Sequence, residues 1–398
     1  MPSTLDELPN ELLLKIFDDY QDDFRSDRTR QSNLARLALV NSTFSSVAHT
    51  LLYGSRAVTV RSAGRTFLLA RTLSSNPDLA SVVKHFVARS EMDNGHLPSL
   101  VQILSTAKLT SVTLSSVFFA KDPPVELYSA LQAQNELLSF SYGYHGLDSP
   151  LGPIAPLLQS WPALKNLTLA EIAAVRRDQS SFPFTPSREL RSWGPPPPYR
   201  LSSLSISNVR IINLVGWSLP AFEWLLGSMN SPSSLTSLTL VEFDGLFDLA
   251  QLFSLLSSRG CSNALERLTI RNFRDATTQS SFPIEEGQED VEYAGAFDPN
   301  NLSAYFPSLR HLSLDNNDDE TCFSTPHPHL LLPPSLRTIE LYEDLFLTWN
   351  LLQTVEDGAP PSLGAARLVG PFASDPDVKQ LKAACEKRGI AFRVERSF

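Results

Sequence analysis

The chain has 398 residues, of which 42% are apolar and 19% charged, and its net charge is −10 from 33 basic and 43 acidic side chains. That length holds two or three ordinary domains or one elongated array. The acidic balance argues against a nucleic-acid backbone or an anionic membrane surface as partner, since both demand a basic stripe. Cys261, Cys322 and Cys385 are odd in number and widely spaced, and never form a C-x-x-C pair. This excludes a disulfide framework and a structural zinc site and leaves three small core residues.

The chain opens with "LPNELLLKIFDDY", residues 8–20. A secretory signal needs positive charge before its apolar run. Here Asp6, Glu7 and Glu11 precede or enter the run and Asp18 and Asp19 follow it. No stretch reaches the about eighteen uninterrupted apolar residues of a membrane span, so the expected location is cytosol or nucleus. Residues 10–20 are predicted to be helical, with Asn10 as N-cap. Leu12 and Ile16 share one stripe, and Leu13, Phe17 and Tyr20 its neighbour. A charged linker, "QDDFRSDRTRQS", leads to a second helical pattern at Leu34, Leu37 and Ala38. A third follows Asn41, with Phe44, Val47, Ala48, Leu51 and Leu52. Three short helices make a small core that needs support, yet they carry more apolar surface than that core can use. Each large apolar side chain is worth about 1.5–3 kcal/mol when buried. The excess therefore packs on the rest of the chain or meets a partner.

"LPNELLLKIFDDY" followed by "NLARLALVNSTFSSVAHTLLYGSRAV" resembles an F-box. Leu8, Pro9, Glu11, Ile16, Phe17, Leu37, Val40, Phe44 and Tyr53 stand where that family's pattern places them, over residues 5–57. The closing Leu-Tyr is the form common in fungal-type members; the long charged linker is a departure. The resemblance implies docking on the Skp-family adaptor of a cullin-based SCF ubiquitin ligase. Leu8, Pro9, Leu12, Ile16, Leu37 and Val40 are the expected contact.

Beyond residue 57 the pattern L-x-x-L-x-L recurs: "LTSVTL" at 109, "LKNLTL" at 164, "LSSLSI" at 201, "LTSLTL" at 235, "LERLTI" at 265, "LRHLSL" at 309 and "LRTIEL" at 336. Weaker copies stand at 83 and 137. Each alternates apolar and polar residues and predicts a short strand with one buried face. Between copies, "PVELYSALQAQNE", "AFEWLLGSM" and "LFDLAQLFSLLSSRG" read as helices, with "PSLVQILSTA" and "PIAPLLQSW" as shorter versions. Strand and helix alternating at a short period predict an α/β solenoid of parallel strands. The stretch resembles an irregular leucine-rich repeat, which implies a curved parallel sheet inside and helices outside. Standard members carry Asn or Cys three residues after the third Leu. Here those positions are Val117, Ile172, Val209, Phe243, Phe273, Asn317 and Asp344, so packing is expected to replace most of the polar ladder and the coil to be less regular.

The expected division is an F-box at 1–57 and a solenoid at 58–398, with loop insertions near 171–200 and 271–301. Prolines 195–198 read as a stiff spacer or a polyproline ligand. The F-box covers one solenoid end. "DVKQLKAACEKRGIAFRV" closes the other as a helix, Gly389 as the residue after the cap, and a last strand.

No phosphate loop, nucleophile elbow or H-E-x-x-H appears. His327 and His329 lack a third ligand. Asp315, Asn317 and Asp319 start like a calcium loop, but Glu320 and Pro326 stand where glycine and a carboxylate are required. No catalytic residue, cofactor or metal is expected. The outward side of the strands is small and polar in early copies. In later ones it carries Arg267, Arg271, His311, Asp315, Glu340 and Tyr342, the expected site for a client protein. The function the resemblance implies is a non-catalytic adaptor holding an unknown client for ubiquitination, and the charge balance adds the expectation of neither nucleic acid nor membrane as partner. The alternative is a repeat-based binding scaffold whose N-terminal helices only cap the solenoid.

Overall fold

The computed structural model describes residues 12, 13, 15, 33, 34, 36–40, 42–54, 57–89, 96–115, 125–143, 154–170, 193–209, 217–227, 234–245, 247, 249–275, 302–315, 331–342, 345–370 and 375–395. The chain divides into two compact units, Met1–His145 and Gly146–Phe398.

In the first unit, residues 12, 13 and 15 and residues 33, 34, 36 and 37 are helical. Helix α1 (Ser42–His49) runs into one π-helical turn, Thr50–Gly54. Leu13, Leu34, Phe44, Val47, Ala48 and Leu51 bury themselves in one cluster, with Leu37, Ala38 and Leu52 packed at its margin. Strand β1 (Val58–Val60), helices α2 (Ala63–Ser75) and α3 (Pro77–Val82) and strand β2 (His85–Arg89) follow. Next come α4 (Leu97–Thr106), β3 (Ser111–Ser115), α5 (Val125–Gln132) and β4 (Ser139–Gly143). The π turn abuts α3: a Cβ on Gly54 would lie 3.1 Å from Val82 Cγ1. The four strands pair in parallel in chain order.

The second unit continues the scheme. Helices α6 (Ala155–Gln159), α7 (Leu219–Leu225), α8 (Leu249–Ser258), α9 (Leu302–Tyr305), α10 (Leu345–Gly358) and α11 (Pro376–Lys387) alternate with eight strands. These are β5 (Asn166–Ala170), β6 (Ser203–Val209), β7 (Ser237–Gly245), β8 (Arg267–Asp275), β9 (His311–Asp315), β10 (Thr338–Tyr342), β11 (Ala365–Val369) and β12 (Ala391–Glu395). All eight are parallel and sequentially paired. Every L-x-x-L-x-L copy therefore forms a strand, and each unit is an α/β stack with parallel, sequentially paired strands. Helix α11 is capped by the Asp375 carboxylate, which accepts from Asp377 N at 2.8 Å, and is followed by Gly389 at φ +73. The edge strand β12 carries Arg393 and Glu395, charges that discourage pairing with another sheet.

Two features set the register. At the amino-terminal rim, one carbonyl of a turn repeatedly accepts two successive N–H groups of the next. Lys84 O takes Thr110 N (2.8 Å) and Ser111 N (3.0 Å), and Thr110 O takes Leu138 N and Ser139 N. In the second unit the same fork recurs at Lys165, Ser202, Thr236, Glu266, Arg310 and Arg337. These backbone forks satisfy the rim groups that would otherwise need a side-chain partner. The irregularity expected from the missing asparagines does not reach this rim.

The second feature is the inward turn of Phe243. Leu238 and Leu240 are buried in alternation, but Glu242 sits at φ +49 and shifts the phase by one residue. Phe243, not Glu242, then enters the core, among Trp217 (6.1 Å between ring centroids), Phe222 (6.4 Å) and Phe247 (5.9 Å). An αL residue with a side chain costs about 1–2 kcal/mol, which burial of the ring offsets. Of the seven positions where the repeat family carries Asn or Cys, Phe243 is the one whose side chain lies within the described residues.

The proline run departs from a free spacer. Trp193, Pro197 and Tyr199 are buried. Tyr199 Oη donates to Leu225 O at 3.0 Å, Trp224 Nε1 to Gly194 O at 3.1 Å, and Gln159 Nε2 to Pro195 O at 2.9 Å. Composition alone reads Pro-rich segments as solvated, but two aromatic anchors clamp this one onto α6 and α7. Residues 171–192 lie outside the described residues.

Cys261 and Cys385 are buried, and burial pushes the Cys385 thiol up to about 11; Cys322 lies outside the described residues. In the first unit, buried Gln134 accepts from Leu109 N at 2.8 Å and donates to Leu104 O and Ala107 O. Gln134→Leu keeps the volume but strands these groups. We expect it to cost about 1–3 kcal/mol, read by urea unfolding. A loss within error of zero would mean that the three groups find other partners.

Candidate functional site

The first surface lies on the N-terminal helices. Leu13 and Leu34 turn into the local cluster, while Leu12 is 47%, Leu39 85% and Val40 61% exposed. Leu37 is partly buried. Of the six residues expected to meet an adaptor, Leu12 and Val40 are thus open and Leu37 half-closed. Leu8, Pro9 and Ile16 lie outside the described residues. Helix periodicity did not single out Leu39, nor the adjacent pair Phe67 and Leu68 on α2, which are 58% exposed. Helix α2 buries only Thr66, Ala70 and Leu73, a stripe too thin to read as a helix in a leucine pattern.

The second surface is the outward side of β8–β12. The register aligns three rows across the strands. The first runs Arg267, His311, Thr338, Ala365, Ala391; the second Thr269, Ser313, Glu340, Arg367, Arg393. The third holds Tyr342, Val369 and Glu395, with Arg271 two residues beyond Thr269. The Arg271 guanidinium lies over the Tyr342 ring, 3.6 Å from its centroid. Tyr342 Oη donates to Glu340 Oε2 at 3.3 Å, and Arg367 Nη1 donates to Glu340 Oε1 at 2.9 Å. Arg367 Nη2 bonds Glu395. One connected chain thus runs Arg271–Tyr342–Glu340–Arg367–Glu395. Burial pushes the Tyr342 hydroxyl up, opposed by Arg271. The Glu395 and Glu340 hydrogen bonds keep Arg367 charged. The network is half open to water, so each pair adds only about 0.2–1 kcal/mol. Its main effect is to fix side-chain positions.

His311 stands one strand from Arg267 and shares a 2.7 Å hydrogen bond, through Nδ1, with Thr338 Oγ1. Burial, with Arg267 and Arg337 nearby, lowers its pKa, so the ring is neutral near pH 7. The pair Glu266–Arg310 closes at 3.4 Å behind it. Arg267, Arg271, His311, Glu340 and Tyr342 are brought onto one face; Asp315 ends β9 on that face, and its side chain lies outside the described residues. Arg367 was missed because its turn hides from a leucine search, and Arg393 and Glu395, on the last strand expected after Gly389, were not assigned to this face. In "LGAARL" the second leucine is Ala366, and β12 places Phe392 and Val394 inward. The signal was spacing: Leu363 follows Leu336 by one repeat of 27 residues.

Among the described residues no cluster of His, Cys, Asp and Glu is arranged to hold a metal, and no helix is long and apolar enough to cross a membrane. Of the two surfaces described, one is apolar and the other a fixed array of arginines, carboxylates and a tyrosine. No protein-family model and no curated protein matches the chain.

Proposed function

We propose that this chain is a substrate adaptor of the F-box and leucine-rich-repeat type. Its N-terminal helices dock on the Skp-family adaptor of a cullin-based ubiquitin ligase, and its strands hold a client protein for ubiquitin transfer by other subunits. The mechanism is tethering, which raises the effective concentration of client at the ligase. It needs no catalytic group on this chain.

One observation carries the reading. The N-terminal helices complete a core of their own around Leu13, Leu34, Phe44 and Val47, yet leave Leu12, Leu39 and Val40 in water. A cap folded only for its own chain gains nothing from that exposure. A partner covering the three side chains does, at about 25 cal/mol per Å² of apolar area. The F-box resemblance in residues 5–57 says which partner to try first.

The test is co-purification with the Skp-family adaptor. Leu39→Asp combined with Val40→Asp is expected to weaken capture by about a hundredfold or more, because charges enter an apolar interface core. Thermal unfolding should stay unchanged, since both side chains are exposed. Capture equal to that of the unmodified chain would favour the scaffold whose N-terminal helices only cap the first turns; the abutment of Gly54 on α3 fits either reading.

A further inference from the structure

Among the described side chains of the proposed client face, the charge balance is uneven. The carboxylates Glu340 and Glu395 are both engaged by Arg367, and Glu266 at the rim is engaged by Arg310. Arg267 and Arg337 are exposed and hold no carboxylate among the described residues. Arg271 is stacked on Tyr342, and its Nε is buried without a hydrogen-bond partner. Two of these arginines lie on β8 and the third directly precedes β10, two strands away, in a chain whose net charge is −10. Uncompensated cations concentrated in this way attract an anionic partner and steer it.

We propose that the amino-terminal rim and outward face of β8–β10 bind an acidic segment of the client, with several Asp or Glu carboxylates taken separately by Arg267, Arg337 and Arg271. This deepens the adaptor reading and rests on it for the word client. The geometry favours a row of carboxylates over a single phosphate. Arg267 and Arg271 are four residues apart on one strand, about 13 Å at 3.3 Å per residue. Arg337 directly precedes β10, two strands away, about 10 Å across the sheet. The Arg271 guanidinium is held at the far end by the Tyr342 ring. One phosphate cannot engage both ends, whereas an extended acidic peptide lying along β8 presents carboxylates at that interval. Arginine's planar fork suits each of them.

His311 adds a pH dependence. The charged and titratable groups around it are Arg267 on β8, Arg337 at the start of β10, and Glu266 and Arg310 at the rim; Thr338 holds its Nδ1. Its protonation is disfavoured in the free chain. Carboxylates docked beside Arg267 reverse that balance, so binding takes up a proton and strengthens as pH falls.

The experiment uses the full chain and a fluorescein-labelled octaglutamate peptide, read by anisotropy in low salt. We expect saturable binding that Arg267→Glu with Arg337→Glu weakens at least about tenfold; the milder pair Arg267→Gln with Arg337→Gln should weaken it in the same direction. Lys382→Glu on exposed α11 should leave it unchanged. Binding should tighten severalfold from pH 7.5 to 6.0, and His311→Gln should flatten that response. Absence of binding, equal binding by the double variants, equal loss in Lys382→Glu, or displacement by inorganic phosphate at lower concentration than by unlabelled octaglutamate would each overturn the proposal. Adaptor capture by the same preparations separates the two readings. Lost peptide binding with intact capture removes only this site, and intact peptide binding with no capture removes only the adaptor role.

Discussion

Phe243→Ala is expected to lower the stability of the second unit by about 3–5 kcal/mol, read by urea unfolding followed through tryptophan fluorescence. The side chain is fully buried, and three aromatic neighbours, Trp217, Phe222 and Phe247, surround it. Removing the ring leaves a void in a place where the backbone is already committed to a left-handed residue, Glu242. The strand cannot relax by sliding, because the register on both sides is set by β6 and β8. Phe243→Leu should cost less than Phe243→Ala, since a leucine fills much of the void. A loss below about 1 kcal/mol for alanine, small for a buried aromatic, would mean that the aromatic cluster collapses without a cavity and that Glu242 is not held by it.

Gly227→Ala is expected to cost about 3 kcal/mol or more, by the same unfolding measurement. Gly227 lies at φ +85, and a Cβ there would sit 2.9 Å from Tyr199 O and 3.1 Å from Pro197 O. Both neighbours are backbone oxygens of the proline strap, which is pinned by Tyr199 Oη on Leu225 O and so has no free direction in which to move. Arg259 Nη1 also donates to Gly227 O at 3.2 Å, tying the next turn to the same residue. Gly260 supplies the control. It too has positive φ, at +71, but a Cβ would meet nothing within 4 Å. Gly260→Ala should therefore cost only the backbone strain, about 1 kcal/mol. Equal losses at the two glycines would show that the strap is not pressed against α7.

The strands were legible because their code is binary and local. Where Leu, Val or Ile alternates with Ser, Thr or Asn, as in "LTSLTL" or "LKNLTL", the period of two identifies one buried face. The same code fails where small residues take apolar positions. Ala366 packs inward as well as a leucine does in its turn, but composition does not distinguish it from a surface alanine. Arg367 was lost with it, and hence the link from Glu340 to Glu395. The proline strap was opaque for a different reason. Pro195 to Pro198 mark backbone stiffness, while what decides their place is the fit of Trp193 against Trp224, at 5.3 Å and edge-on, a tertiary contact across 31 positions of chain. The face itself was legible in part. The sequence places Arg271 and Tyr342 on the same side, but not that one lies over the other, since that follows from a register in which paired residues of β8 and β9 stand 44 positions apart.

The forked carbonyls at the rim have a bearing on how such a chain changes over time. Most coils are aligned by two amide protons of their own on a single oxygen of the predecessor, so alignment there is copied from neighbour to neighbour and owes nothing to what lies between. Segments leaving the opposite ends of the strands are then free to lengthen, shorten or change composition without disturbing the stack. Whole coils can be duplicated or deleted as units. Novelty in what the molecule grips can therefore arise at its margins while the scaffold that presents it stays the same.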